Sequence, residues 1–158
     1  SGLFLYDTVV DTIVCLEGTQ VVGSFLAEEL TRAGVLSMNA HKTIYIVTPE
    51  FNSNSQMIFK ENILPMIRDK NVIILTASVT TGLALNKGIE SIRYYGGNLR
   101  AITAIFSTLE ELNGYRITSI FSRKDLPDYT YYDYRDCPLC KQGRKLDALV
   151  NAYGYTSL

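Results

Sequence analysis

Residues 72–82 read VIILTASVTTG, and their types suit the binding of an anion. Val72, Ile73, Ile74 and Leu75 form an apolar, strand-like run. Ser78, Thr80 and Thr81 bring hydroxyl donors, and Gly82 opens a helix-like segment. A loop at the base of a helix offers backbone N–H groups without helical partners and the positive end of the helix dipole. Glycine lets the backbone come close to an anion. On this reading Ser78, Val79, Thr80, Thr81 and Gly82 grip a phosphate. The plainer reading is that Thr80 or Thr81 only caps the helix. The middle of the stretch, Thr76-Ala77, carries no charge. A second turn, Glu17-Gly18-Thr19-Gln20, follows another β-branched run, Thr8 to Leu16.

The elements needed to hold these turns are legible in outline. Val22, Phe25, Leu26 and Leu30 lie near helical spacing within 21–33, with Gly34 as the stop. Residues 42–47 read as a strand, 48–55 as a mobile polar loop, and 56–59 as a short strand. After the strand at Val72, residues 82–95 are helical, with Leu83, Ile89, Ile92 and Tyr95 on one face and Gly96-Gly97 as the stop. Residues 99–107 and 117–121 read as strands. This alternation predicts an α/β fold with a mainly parallel central sheet flanked by helices. Ligands in such folds sit at the carboxyl ends of the strands, where both turns lie.

The 158 residues suffice for one domain, expected to span 1–158, with the tyrosine-rich 125–158 as a C-terminal extension packed on it. Net charge is -1, so no global field draws the chain to nucleic acid or an acidic membrane. The longest apolar runs are too short to span a bilayer, and no secretory leader is expected. Three cysteines without a disulfide-like framework fit a reducing, cytoplasmic setting.

The wider pattern VIILTASVTTGLAL resembles the phosphoribosyl-pyrophosphate loop of the type I phosphoribosyltransferases, a Rossmann-like family. In that family an apolar strand ends in two acidic residues, two mostly apolar positions and Thr-Thr-Gly or Thr-Ala-Gly. Residues 11–26 resemble its pyrophosphate loop, and residues 88–106 its next helix, glycine turn and strand. Residues 1–7, 116–121 and the Cys137-Pro138-Leu139-Cys140 segment are similar to stretches of orotate phosphoribosyltransferases. The resemblance implies transfer of a phosphoribosyl group to a pyrimidine base, with magnesium on phosphoribosyl pyrophosphate, in a homodimer. It implies that Ser78 to Gly82 hold the 5′-phosphate, that Thr76 and Ala77 stand at the ribose contacts, and that Glu17, Gly18, Thr19 and Gln20 form the pyrophosphate loop. It assigns no catalytic residue.

Three departures count against ordinary chemistry. Thr76 and Ala77 replace the acidic pair, which removes two charged hydrogen bonds worth about 1.5–3 kcal/mol each. Residues 49–57 carry no Lys or Arg for a leaving pyrophosphate; His41, Lys42 and Lys60 only flank them. Cys15, Thr19 and Gln20 put side chains where a diphosphate needs room. The expectation is therefore weak or lost transfer, with a non-catalytic nucleotide- or phosphate-binding regulatory module as the alternative. A further alternative is that another carboxylate, Glu17 or Glu50, takes over.

The remaining candidates are weaker. Cys137 and Cys140 have zinc-knuckle spacing but supply two ligands of four, so no metal is expected there. His41, the single histidine, reads as a surface or structural residue. Tyr129, Tyr131, Tyr132 and Tyr134 read either as interface or tail-docking residues or as ordinary packing. Glu110 and Glu111 read as a helix face.

Overall fold

In the computed structural model, residues 5, 7–32, 38–40, 42–151 and 153–158 are described. His41, Gly34 and most of residues 1–7, on which sequence readings fell, lie outside them.

Strand β1 spans Thr12–Cys15, β2 Tyr45–Val47, β5 Asn71–Val79, β6 Asn98–Ser107, β7 Glu111–Leu112 and β8 Tyr115–Ser122. They form one sheet in the order β2-β1-β5-β6-β8-β7. Every pairing is parallel except the edge pair β7–β8. Val72 to Leu75 are apolar throughout because a central parallel strand is buried on both faces. Successive side chains leave by opposite faces. Val14, Val72, Ile74 and Ile102 enter one cluster, covered by helix α2 (Leu83–Tyr94) through Leu85, Ile89 and Ile92. Ile13, Cys15, Ile73 and Leu75 enter the other, covered by helix α1 (Gln20–Arg32) through Leu26, Ala27 and Leu30. The α/β expectation with a mainly parallel, helix-flanked sheet is met.

Helix α1 comes close to β1 because Gly23 has no side chain. A Cβ there would stand 2.5 Å from Cys15 Sγ and 3.4 Å from Leu75 Cδ2. No described helix is long and apolar enough to cross a membrane.

Three readings need correction. Strand β5 does not stop at Leu75: β6 runs beside it, pairing Thr76 with Ala104, Ser78 with Phe106 and Val79 with Ser107. Thr76 to Val79 are therefore strand, and the loop begins at Thr80. The segment read as a mobile loop contains strand β3 (Glu50–Phe51), which pairs antiparallel with β4 (Met57–Ile58). Its turn is closed by Asn52, whose Oδ1 accepts from the N–H groups of Asn54 and Gln56. Glu111 is not on a helix face. It lies in β7, which Asn113 (φ 51°) and Gly114 (φ 80°) turn back into β8. An Asn-Gly pair of this kind is the usual two-residue hairpin signal.

Beyond β8 the chain forms a 3₁₀ turn at Tyr134–Asp136, a one-turn helix α3 (Pro138–Lys141) and a hairpin of β9 (Ala148–Asn151) with β10 (Gly154–Ser157). Of the tyrosines, Tyr129 stacks edge-on against Phe106 with centroids 4.8 Å apart. Tyr132 and Tyr134 are exposed.

Candidate functional site

The site forms where β1 ends before β5 does. Leu16 N–H still donates to Leu75 O, at 2.8 Å, and then the chain turns away. Glu17 (φ 54°) and Gly18 (φ 77°) are both left-handed, which reverses the backbone within two residues. A glutamate rarely adopts that conformation, so its place here is held by surrounding bonds. Thr19 supplies them. It is 3% exposed, and its hydroxyl lies 2.7 Å from Leu16 O and 3.1 Å from Leu75 O. Helix α1 follows at once, with Gly23 N–H donating to Thr19 O.

This turn lays the Glu17 side chain over the uncovered end of β5. Glu17 Oε2 accepts from Thr76 Oγ1 at 2.9 Å and from Ser78 N–H at 3.2 Å. Ser78 N–H would otherwise be an open strand edge, since β1 has no residue left to pair with it. Ala77, half-buried, contributes only a methyl group.

Past Val79, the loop Thr80–Gly82 is strapped to the end of β6 by Thr108. Its N–H donates to Val79 O at 3.0 Å and its hydroxyl to Thr80 O at 2.8 Å. Gly82 (φ 76°) starts α2 in a left-handed conformation, with Asn86 N–H as the first donor back to its carbonyl. The N-cap Gly82 has no side chain to cap α2, and Thr81 Oγ1 accepts from Leu83 N–H at a long 3.5 Å. Beyond that one long bond the first turn has no side-chain cap among the described residues, and its other amides can face an anion. The plainer reading, that Thr80 or Thr81 is a cap, keeps this one long bond from Thr81.

Glu17, Thr76, Ser78, Thr80, Thr81 and Gly82 line one cavity of about 180 Å³, with Phe51 of the β3–β4 hairpin at its wall. That is below the roughly 300–1,000 Å³ of pockets for drug-sized ligands and suits a phosphate with a small group attached. Val79 belongs to it by backbone, its side chain being in the core. No Lys or Arg lines it among the described residues. A second cavity, about 580 Å³, lies along β8, and Arg116, Arg123 and Lys124 stand on its wall. Glu50 is not in the site: it pairs with Lys60 at 2.6 Å on the surface. Gln20 is exposed at the start of α1, and Thr19 faces the fold rather than a ligand.

Thr76, Ser78, Thr80, Thr81 and Gly82, named from the sequence, line this one cavity. The sequence reading missed Thr108, whose only signal was a hydroxyl at the carboxyl end of β6. It also named Glu17 without its bonds to β5, 59 and 61 residues away.

The cysteines differ in reactivity. Burial pushes the Cys15 thiol up to about 11, against a smaller lowering by the Thr19 hydroxyl. The Cys140 backbone N–H, followed by its thiol, holds Cys137 below the usual range, while Cys137 raises Cys140. Because the thiolate is the nucleophile, iodoacetamide is expected to alkylate Cys137 first and to spare Cys15 in the folded chain. Peptide mapping by mass spectrometry checks the order. No group of three or more His, Cys, Asp or Glu among the described residues is arranged to hold a metal ion.

No protein-family model matches the chain, and no curated protein matches its sequence. Its structure is similar to solved ones. Hypoxanthine phosphoribosyltransferase from Staphylococcus aureus matches at TM-score 0.52 and 15% identity over 77% of this chain and 65% of that one. Adenine phosphoribosyltransferase from Thermoanaerobacter pseudethanolicus matches at 0.52 and 18% over 75% and 73%. Orotate phosphoribosyltransferase from Mycobacterium tuberculosis matches at 0.50 and 14% over 78% and 69%. The chain therefore has the type I phosphoribosyltransferase fold, and these likenesses do not choose between purine and pyrimidine bases.

Proposed function

We propose that the chain uses this fold to bind a 5′-phosphorylated ribose compound, a nucleotide or sugar phosphate, at Ser78–Gly82, with phosphoribosyl transfer weak or lost. The observation that carries the reading is the amino end of α2, capped only by the long Thr81 contact, opening onto hydroxyls at the end of β5. The phosphate would be held by the first-turn amides and the hydroxyls of Ser78, Thr80 and Thr81. Gly82 leaves the space for its approach. Phe51 would shield one side from water.

Two features weigh against diphosphate chemistry. No cation lines the cavity among the described residues, so nothing there offsets the charge of a leaving pyrophosphate. The donor set does not suit a protein-held magnesium either. Its one carboxylate, Glu17, already commits Oε2 to Thr76 and Ser78. Magnesium would have to arrive on the substrate's own phosphates.

The second reading is an orotate-type transferase, probed by the motif order from Ser78 to Gly82 and the fold. Homodimerisation, a cytoplasmic location and packing of 125–158 on the rest as one domain belong to that proposal too.

Isothermal titration separates the two. Orotidine or uridine monophosphate and inorganic phosphate are expected to bind without turnover of orotate and phosphoribosyl pyrophosphate. Gly82→Val is expected to weaken phosphate binding at least about tenfold, since φ 76° disfavours a β-branched residue and its Cβ would stand 3.0 Å from Leu112 Cδ1. Turnover of orotate would establish the second reading. Failure of the native chain to bind any of these phosphates would end both.

A further inference from the structure

We propose that Cys137 and Cys140 form a dithiol site that exchanges with small disulfides of the glutathione type and closes to a disulfide within the chain.

Residues 137–140 read CPLC, and α3 is built on them. Cys137 precedes the helix with an extended backbone (φ -75°, ψ 115°), and the ring of Pro138 fixes the next φ. Lys141 N–H donates to Cys137 O at 3.1 Å, which closes one helical turn around the pair. Residues three apart on such a turn share a face, so both thiols leave on the same side. The far end of the turn is held as well. Gly143 N–H donates to Cys140 O at 3.0 Å and Arg144 N–H to Leu139 O at 2.9 Å, with Gly143 left-handed (φ 69°). Backbone bonds thus keep the sulfurs together before any covalent link, and closing the ring orders little further chain. Cys137 is half-buried, Cys140 exposed, and both are free thiols. Cys15 is no partner for either, being sealed under α1. An exposed disulfide is of the labile, exchanging kind rather than a structural bridge.

The surroundings also set the order of the steps. The Cys140 N–H, then its thiol, and more weakly Lys141 favour the thiolate on Cys137, which is the attacking form. The bond to Cys137, and then the charge there, keep the proton on Cys140. Cys137 Sγ attacks one sulfur of glutathione disulfide and forms a mixed disulfide. One glutathione thiolate leaves and takes a proton from water. The charge on Cys137 is then gone, so Cys140 releases its proton more readily. Its thiolate attacks Cys137 Sγ and expels the second glutathione. The cysteine pair loses two electrons and two protons, and glutathione disulfide gains them.

The test is incubation with glutathione disulfide, followed by intact-mass analysis and peptide mapping, of the native chain, Cys140→Ser and Cys137→Ser. Cys15 is fully buried, so it stays unmodified in any variant that keeps its fold and serves as the internal control. The native chain is expected to gain a Cys137–Cys140 disulfide and to retain no glutathione. Cys140→Ser is expected to retain glutathione on Cys137, because the resolving thiol is gone. Cys137→Ser is expected to capture glutathione on Cys140 more slowly than that, by about threefold or more. Stable glutathione on both cysteines of the native chain overturns the inference. So does a disulfide that links two chains, or equal capture rates in the two variants. Thiols that stay inert until a chelator is added overturn it too, and assign the pair to a metal ion.

Discussion

Ile74→Ala is expected to lower the unfolding free energy by about 2–5 kcal/mol, enough to move the melting temperature by roughly 10 °C. Ile74 is fully buried, and it sits between Val14 of β1 and Ile102 of β6 in the central strand. Its side chain packs in the cluster beneath Ile89 and Ile92 of α2. Neighbours on both strands and the helix are fixed by their own pairings, so the space cannot collapse. Ile120→Ala is the control. That residue is also in a strand but 69% exposed, and its loss is expected to cost within about 0.5 kcal/mol. Urea unfolding of both variants checks the contrast; equal costs would mean that β5 is not the core strand.

Placing an acid on β5 by Thr76→Asp is expected to destabilise the native chain, by about 2–4 kcal/mol. Thr76 is 4% exposed, and its hydroxyl donates to Glu17 Oε2. Aspartate turns that donor into a second carboxylate facing the first. The folded state then favours holding a proton between them, whereas the unfolded chain holds both acids apart. The folded state binds more protons, so its stability falls as pH rises, and the deficit should narrow on acidification. Adding Glu17→Gln removes the repulsion. The double variant is expected to recover at least about 1 kcal/mol relative to additivity. Additive costs in a denaturant double-mutant cycle would show that the two positions do not meet.

The central strands were legible because burial on both faces makes them continuous apolar runs. Val72 to Leu75 and Leu99 to Ser107 announce themselves that way. Their ends were not legible. Strand β5 persists to Val79 only because β6 accompanies it to Ser107, and no local signal at Thr76-Ala77 carries that information. Local chemistry did signal the β7–β8 hairpin, through Asn113-Gly114, but two adjacent glutamates at 110 and 111 suggest a solvated helix instead. At the candidate site, the strand-to-helix junction was readable from hydroxyls and a glycine, although Ser78 and Val79 prove to be strand and the loop starts at Thr80. The partners of Glu17 were not, because a contact across nearly sixty residues depends on where β1 stops short of β5.

The notch that Gly23 leaves over Cys15 gives the molecule its own gauge of helix detachment. Sulfur occupies the room of the missing methyl, 2.5 Å from where it would be, so no reagent reaches it while α1 is seated. The slow labelling of this thiol in native buffer would therefore time how often α1 lifts from the sheet. A ligand that pins the turn at Glu17–Thr19, from which α1 springs, should lengthen that interval.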